Sequence, residues 1–195
     1  EIERPFALTK EDKSLMRYIT KNNPNTMAIL NTGSAIDMSA WNDGLAGLIY
    51  GWYGGQSGFE ALTDIITGKV TPSGKLPMTI EKTFEDSPAW GYLPKGASLY
   101  NELKNEHLIN VYDVNYGESV LVGYRWYDTK NIEPLYPFGY GLSYTTFTLT
   151  KPRSSSKKLN DQMIRCSLTI TITGIQKVPD VIQLYLNEHQ QSLLR

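Results

Sequence analysis

Hydrophobic positions follow two different spacings along the first eighty residues and then lose any period. Leu15, Met16 and Ile19 recur at helical spacing behind Thr9 and Asp12, a pair suited to cap a helix, and Asn22-Asn23-Pro24 ends the pattern. Residues 26–30 (TMAIL) form a short run that is almost wholly apolar, which predicts a parallel strand buried on both faces. Residues 45–50 (LAGLIY) are a second such run and end in the glycine cluster GWYGGQSG. Ser57 and Glu60 have the spacing of a capping box, Ala61, Leu62, Ile65 and Ile66 supply an apolar helical face, and Gly68 supplies its terminator. Residues 75–80 (KLPMTI) read as another strand, with Pro77 marking an edge or irregular position. Strand and helix alternating at this spacing predict an α/β/α sandwich with a mostly parallel sheet.

From residue 85 to 140 the period vanishes and Tyr, Trp, Pro, Asn and Gly take over, a stretch far longer than an ordinary connection. Tyr92, Tyr100, Tyr112, Tyr116, Tyr124, Tyr127, Tyr136 and Tyr140 make this segment hold most of the chain's 13 tyrosines. Long loops of this kind are usually functional; amphipathic rings can pack such a loop against its own domain, yet their collective density needs a further reason. After residue 145 alternation returns. Residues 147–149, SLTITIT and VIQLYL read as period-two strands, the start of a β-sandwich too short to close. Cys166, between apolar neighbours in SLTITIT's approach, is expected to be a core or half-buried strand residue.

Charge narrows the function. With 19 Lys and Arg against 20 Asp and Glu, a net charge of -1 offers no field for a polyanion, so nucleic acid is a poor partner. A single cysteine rules out an intrachain disulfide. No run of about 18 apolar residues predicts a membrane span. Starting at Glu1, the chain is expected to be a piece of a longer polypeptide.

Several local motifs fail on detail. Gly54-Gly55-Gln56-Ser57-Gly58 sits between strand and helix as a phosphate loop would, yet neither dinucleotide nor Walker spacing is present, leaving a tight turn as the better reading. His107 and His189 stand apart from any Cys or acidic pair at ligand spacing, so no metal or cofactor is expected. Ser34 and Ser57 lack a nucleophile-elbow context. Carboxylates remain, and they matter for a sugar, because glycosidic bonds break between an acid and a nucleophile or base. Glu1, Glu3 and Glu118 are the local candidates, and spacing does not choose among them.

The segments NPNTMAILNTGSAIDM, GLIYGWYGGQSGFEALTDIITGKVTPSGKLPMTI, YGESVLVGYRWYD and EPLYPFGYGLSYTTF together resemble the carboxyl-terminal half of glycoside hydrolase family 3, the β-glucosidase family. The resemblance implies an α/β sandwich domain over residues 1–139 and the start of a fibronectin type III-like sandwich over 140–195. It implies a (β/α)8 barrel amino-terminal to this chain that carries the nucleophilic Asp, with the active-site crevice between the two. It also implies a retaining, exo-acting β-glucosidase, with β-xylosidase or mixed specificity as the runner-up, acting on a β-glucoside or β-linked oligosaccharide.

The family's general acid/base lies in a segment resembled by Glu3-Arg4-Pro5-Phe6, which implies Glu1 or a Glu just before it, with Glu3 and Arg4 positioning that loop. Trp52, Tyr53, Trp90 and Tyr116 are the candidate stacking residues for an outer sugar or aglycone. No role passes to Glu118. The chain alone is expected to be inactive, since one carboxylate cannot form and hydrolyse a glycosyl-enzyme. The family's substrates imply a periplasmic or secreted protein. Two other classes remain open: a non-catalytic carbohydrate-binding or scaffolding module, and a nucleotide-binding domain at Gly54–Gly58.

Overall fold

The computed structural model describes residues 6–91, 95–101, 106–113, 116–155, 163–174 and 178–185. In chain order the elements are α1 (Lys10–Asn22), β1 (Met27–Leu30), β2 (Gly47–Tyr50), α2 (Gly58–Ile66), β3 (Lys95–Asn101), β4 (Glu106–Asp113), α3 (Tyr124–Lys130), β5 (Phe147–Ser154) and β6 (Cys166–Ile172), with 3-10 turns at Asn42–Gly44 and Phe84–Asp86. This is an α/β fold, as its periodicity predicts. The chain divides into one unit of Glu1–Gly55 and Leu76–Tyr140, and a second of Gln56–Lys75 and Gly141–Arg195.

In the first unit, β1 and β2 pair in parallel, Met27 opposite Gly47 through Leu30 opposite Tyr50. A parallel pair needs a crossover, usually an α-helix. Here residues 31–46 make it with a single 3-10 turn, and the crossover supplies the core itself: Met38 is fully buried and Trp41 is nearly so. They pack with Leu30 and Ile80, and Met16 of α1, Leu48, Met78 and Leu135 close around them. Thr9 caps α1 as expected, accepting the Asp12 N–H at 3.1 Å while its hydroxyl donates to the Asp12 carboxylate at 2.8 Å. The expectation that the first strand is covered on both faces is corrected: Ala28 and Leu30 turn inward, but Met27 and Ile29 are exposed.

Residues 75–80 do not form a strand of the parallel sheet. They run beside residues 135–140 instead, with Leu76 donating to the Tyr140 carbonyl, Gly139 to that of Leu76 and Ile80 to that of Tyr136, each at 2.8 Å. Only one bridge is regular, Ile80 with Tyr136, and it stands isolated. The supposedly aperiodic stretch also contains structure. β3 and β4 form an antiparallel pair and Tyr124–Lys130 is a short helix.

In the second unit, α2 ends at Ile66, and Gly68 just beyond its Thr67 cap takes a φ of +75° that suits glycine, as expected of its terminator. Ser57 precedes α2 without a side-chain capping bond, so no capping box forms. Lys75 ties this unit together, donating to the Gly141 carbonyl at 2.6 Å and pairing with Asp180 at 3.1 Å. β5 and β6 are antiparallel, and the register shifts between Thr150 and Arg153, where Lys151 takes a φ of +53° ahead of Pro152. Cys166 is exposed rather than half-buried. Residues 181–185 lie outside any strand, against the alternation of VIQLYL.

Candidate functional site

In open α/β sheets ligands gather beyond the carboxyl ends of parallel strands. Here those ends release residues 31–34 after β1 and 51–55 after β2. Gly51 keeps the second loop tight against the first strand, donating its N–H to the Leu30 carbonyl at 2.8 Å. A Cβ at Gly51 would lie 3.3 Å from that same oxygen. Trp52 follows with a φ of +50°, a left-handed conformation that a bulky residue rarely adopts and that gathers at functional sites.

Three aromatic rings face this edge. Trp52 is half-buried and packs on Tyr50, ring centres 4.6 Å apart. The Tyr50 hydroxyl donates to the Ser34 carbonyl and so clasps the two loops together. Tyr53 lies over Gly33, where an added Cβ would come within 2.8 Å of its ring, and the rest of the ring is open to solvent at 68% exposure. Thr32 steadies the first loop, its hydroxyl donating to the Ser34 carbonyl at 3.2 Å.

A buried carboxyl that sequence reasoning missed acts on Tyr50 through its charge. Glu81 is buried and accepts a hydrogen bond from the hydroxyl of Tyr127, itself buried on α3. Burial raises the Glu81 carboxyl above the usual range and Asp86 adds to this, against the opposing effect of its hydrogen bonds. Tyr50 is pushed up to about 12, by burial first and then by Glu81 and Tyr53. Tyr127 rises too, by burial first and then by Glu81 and Asp86. A lone Glu after an apolar run looks like a surface residue, so only the fold, by bringing residues 50, 81 and 127 together, exposes it.

The remaining candidates sit elsewhere. Trp90 packs edge-on against Phe84 at 5.6 Å, and Phe84 stacks on Phe6 at 5.8 Å. Tyr116 is 73% exposed at a turn. Among the described residues no ring contact joins either to Trp52 or Tyr53. Glu1, with Glu3 and Arg4, lies outside the described residues, as does His189. The chain resumes at Phe6, whose carbonyl accepts the Asp37 N–H at 2.8 Å. Asp37 is in turn fixed by Lys13 at 2.8 Å and by Ser39. Burial pushes its carboxyl up, but these bonds outweigh that and hold it below its ordinary value. The described start of the chain is therefore pinned to the crossover that carries Ser34. Glu118 is half-buried at the turn beside Ser119, whose φ is +56°.

Among the described residues no three His, Cys, Asp or Glu side chains gather to hold a metal ion, and no helix is long and apolar enough to cross a membrane. Residues 3–144 match the model of the glycosyl hydrolase family 3 C-terminal domain. A β-glucosidase of Bacteroides ovatus is 40% identical over 197 residues, covering 99% of this chain and 24% of its own length. An exo-α-(1→6)-L-arabinopyranosidase of Bifidobacterium longum is 35% identical over 173 residues, 89% of this chain and 21% of its own. The crystal structure of a β-glucosidase of the same family from Bifidobacterium adolescentis superimposes with a TM-score of 0.73 at 33% identity, over 88% of this chain and 23% of that one. The chain thus spans about a quarter of the length of the relatives it matches.

Proposed function

The chain belongs to glycosyl hydrolase family 3, and from that membership we propose that it is the carboxyl-terminal part of a retaining, exo-acting β-glucosidase that removes terminal non-reducing glucosyl residues. In this reading residues 1–139 form the α/β sandwich domain and 140–195 open a fibronectin type III-like sandwich. A (β/α)8 barrel elsewhere in the same polypeptide supplies the nucleophilic Asp and the inner sugar site. This chain supplies the opposite wall and a proton donor, Glu1 or a Glu just before it. The protein works in the periplasm or outside the cell, where β-linked oligosaccharides are met.

One observation carries the reading: the open ring of Tyr53 and the strained Trp52 stand together at the carboxyl ends of the parallel strands. An aromatic face open to solvent suits the apolar side of a second sugar or aglycone. Phe6 is bonded to the same crossover. Trp90 and Tyr116 serve a more distant part of the leaving group, or none. With the barrel in place, retention requires the two carboxyl groups about 5–5.5 Å apart.

A proton donor matters most when the leaving group is poor. In the intact polypeptide Glu1→Ala should therefore slow cellobiose hydrolysis far more than that of a nitrophenyl glucoside, with partial rescue by azide. Rates unchanged from wild type on both substrates would move the acid to an upstream Glu, and an intact polypeptide without hydrolase activity would favour a binding or scaffolding module. The arabinopyranosidase of Bifidobacterium longum supports a second specificity, a pentoside or mixed one. Comparing kcat/KM for nitrophenyl glucoside, xyloside and arabinopyranoside decides it.

A further inference from the structure

Phe6, Phe84 and Trp90 form a group of rings at the described start of the chain. Phe84 stacks on Phe6 with ring centres 5.8 Å and planes 29° apart, and Trp90 meets Phe84 edge-on at 5.6 Å and 84°. Phe6 and Phe84 are half-buried, and neither is among the residues packed against the interior cluster of Leu30, Met38, Trp41 and Ile80. Trp90 is 47% exposed. The stack therefore lies outside the core, and filling the interior does not account for it.

Its two sides are held differently. Phe84 opens the turn Phe84–Asp86, which closes through the Ser87 N–H on the Phe84 carbonyl at 3.1 Å. The Trp126 indole N–H ties that turn to α3, donating to the Asp86 carbonyl at 3.0 Å. Phe84 is thus a ring on a fixed support. Phe6 is held through its carbonyl, which accepts the Asp37 N–H at 2.8 Å. One hydrogen bond fixes a point but not a direction, and the stacked ring supplies the second attachment.

We propose that Phe84 is a positioning residue for the general acid, acting through Phe6. The inference rests on the reading above that puts the acid at Glu1 or a Glu just before it. Pro5 directly precedes Phe6 in the sequence. A proline ring fixes its own φ and narrows the conformations of the residue before it, so a change of direction at Phe6 is passed along the chain toward the acid. A donor displaced by about 1 Å loses roughly 100-fold in rate, which makes the ring contact matter to the chemistry.

The test uses the intact polypeptide as wild type, Phe84→Ala, Phe6→Ala, the double variant and Phe84→Tyr. In Phe84→Ala, kcat/KM for cellobiose should fall about 10- to 100-fold. That for a nitrophenyl glucoside, whose leaving group needs little protonation, should change little. Azide should raise kcat on the nitrophenyl glucoside, because the displaced residue also fails as the base that activates water to release the sugar. Phe6→Ala should show the same selective loss, the double variant should lose no more than Phe6→Ala alone, and Phe84→Tyr, which keeps the ring, should restore cellobiose hydrolysis. A merely structural role would lower both substrates alike without a response to azide, and that result overturns the proposal. Losses that multiply in the double variant overturn it too.

Should Phe84→Ala fail to fold, Phe84→Leu keeps apolar bulk without a ring and is held to the same comparison of substrates. Glu1→Ala, run beside these variants, separates the proposal from the reading it rests on. Selective loss in both Phe84→Ala and Glu1→Ala supports both. If Phe84→Ala is selective and Glu1→Ala is not, the acid is the Glu just before and Phe84 still positions it. If Glu1→Ala is selective and Phe84→Ala is not, the acid stands and the proposal falls.

Discussion

Gly33→Ala tests whether the ring of Tyr53 is a working surface. No left-handed φ is found at Gly33, so alanine fits its backbone, and the glycine is there for space. The added Cβ would sit 2.8 Å from a ring carbon of Tyr53, where ordinary contact begins at 3.4 Å. The ring must therefore retreat by the difference, at least 0.6 Å. It is 68% exposed and free to do so, so folding should lose no more than about 1 kcal/mol, the scale of a modest overpacking strain.

Binding is more sensitive. A sugar resting on the ring through roughly ten atom pairs at about 0.1–0.2 kcal/mol each gains about 1–2 kcal/mol, and a gap of this size forfeits roughly a quarter to a half of it. The loss, about 0.25–1 kcal/mol, corresponds to a KM about 1.5- to 5-fold higher. The assay is steady-state hydrolysis of cellobiose by the intact polypeptide, with a nitrophenyl glucoside for comparison and thermal melting as the control. An unchanged KM for cellobiose, with melting also unchanged, would refute the role given to Tyr53.

Three further outcomes follow from the structure. Ile80→Ala should cost about 2–5 kcal/mol, because Ile80 is fully buried between the paired segment and the crossover, and a shifted urea midpoint in the purified protein measures it. Asp37 is held below its ordinary value of 3.8, so its contribution is complete above that value and disappears as pH falls through the lower folded one. Melting temperatures of wild type and Asp37→Asn should accordingly differ most near neutrality and converge in acid. The 195-residue chain by itself should release no nitrophenol from a nitrophenyl glucoside, and measurable turnover would locate both catalytic carboxylates within it.

Where side-chain pattern alone dictates structure, the sequence was readable. Thr9 with Asp12 fixed the start of α1, and the apolar runs ending at Leu30 and Tyr50 are the two parallel strands. It was not readable where pairing is decided by distant partners. Residues 75–80 look like a strand, yet they meet residues 135–140 through one isolated bridge. KGASLYN and EHLINVYD lack strict alternation, so the β3–β4 pair is invisible until the two segments meet. YRWYDTK has no apolar stripe to announce α3. The family motifs pointed to the Trp52–Tyr53 loop, whereas Glu81 became visible only through Tyr127 and Tyr50, which no spacing rule links to it.

The crossover between β1 and β2 has consequences for how such a protein can diversify. Its rear part, Met38 and Trp41, is interior, while its front part, residues 31–34, is rim. Mutations in the rear open the interior of the unit, whereas those in front act on the rim itself, through the Ser34 carbonyl and the space beside Gly33. A lineage can thus vary the rim at four consecutive codons while the interior residues behind it are inherited unchanged.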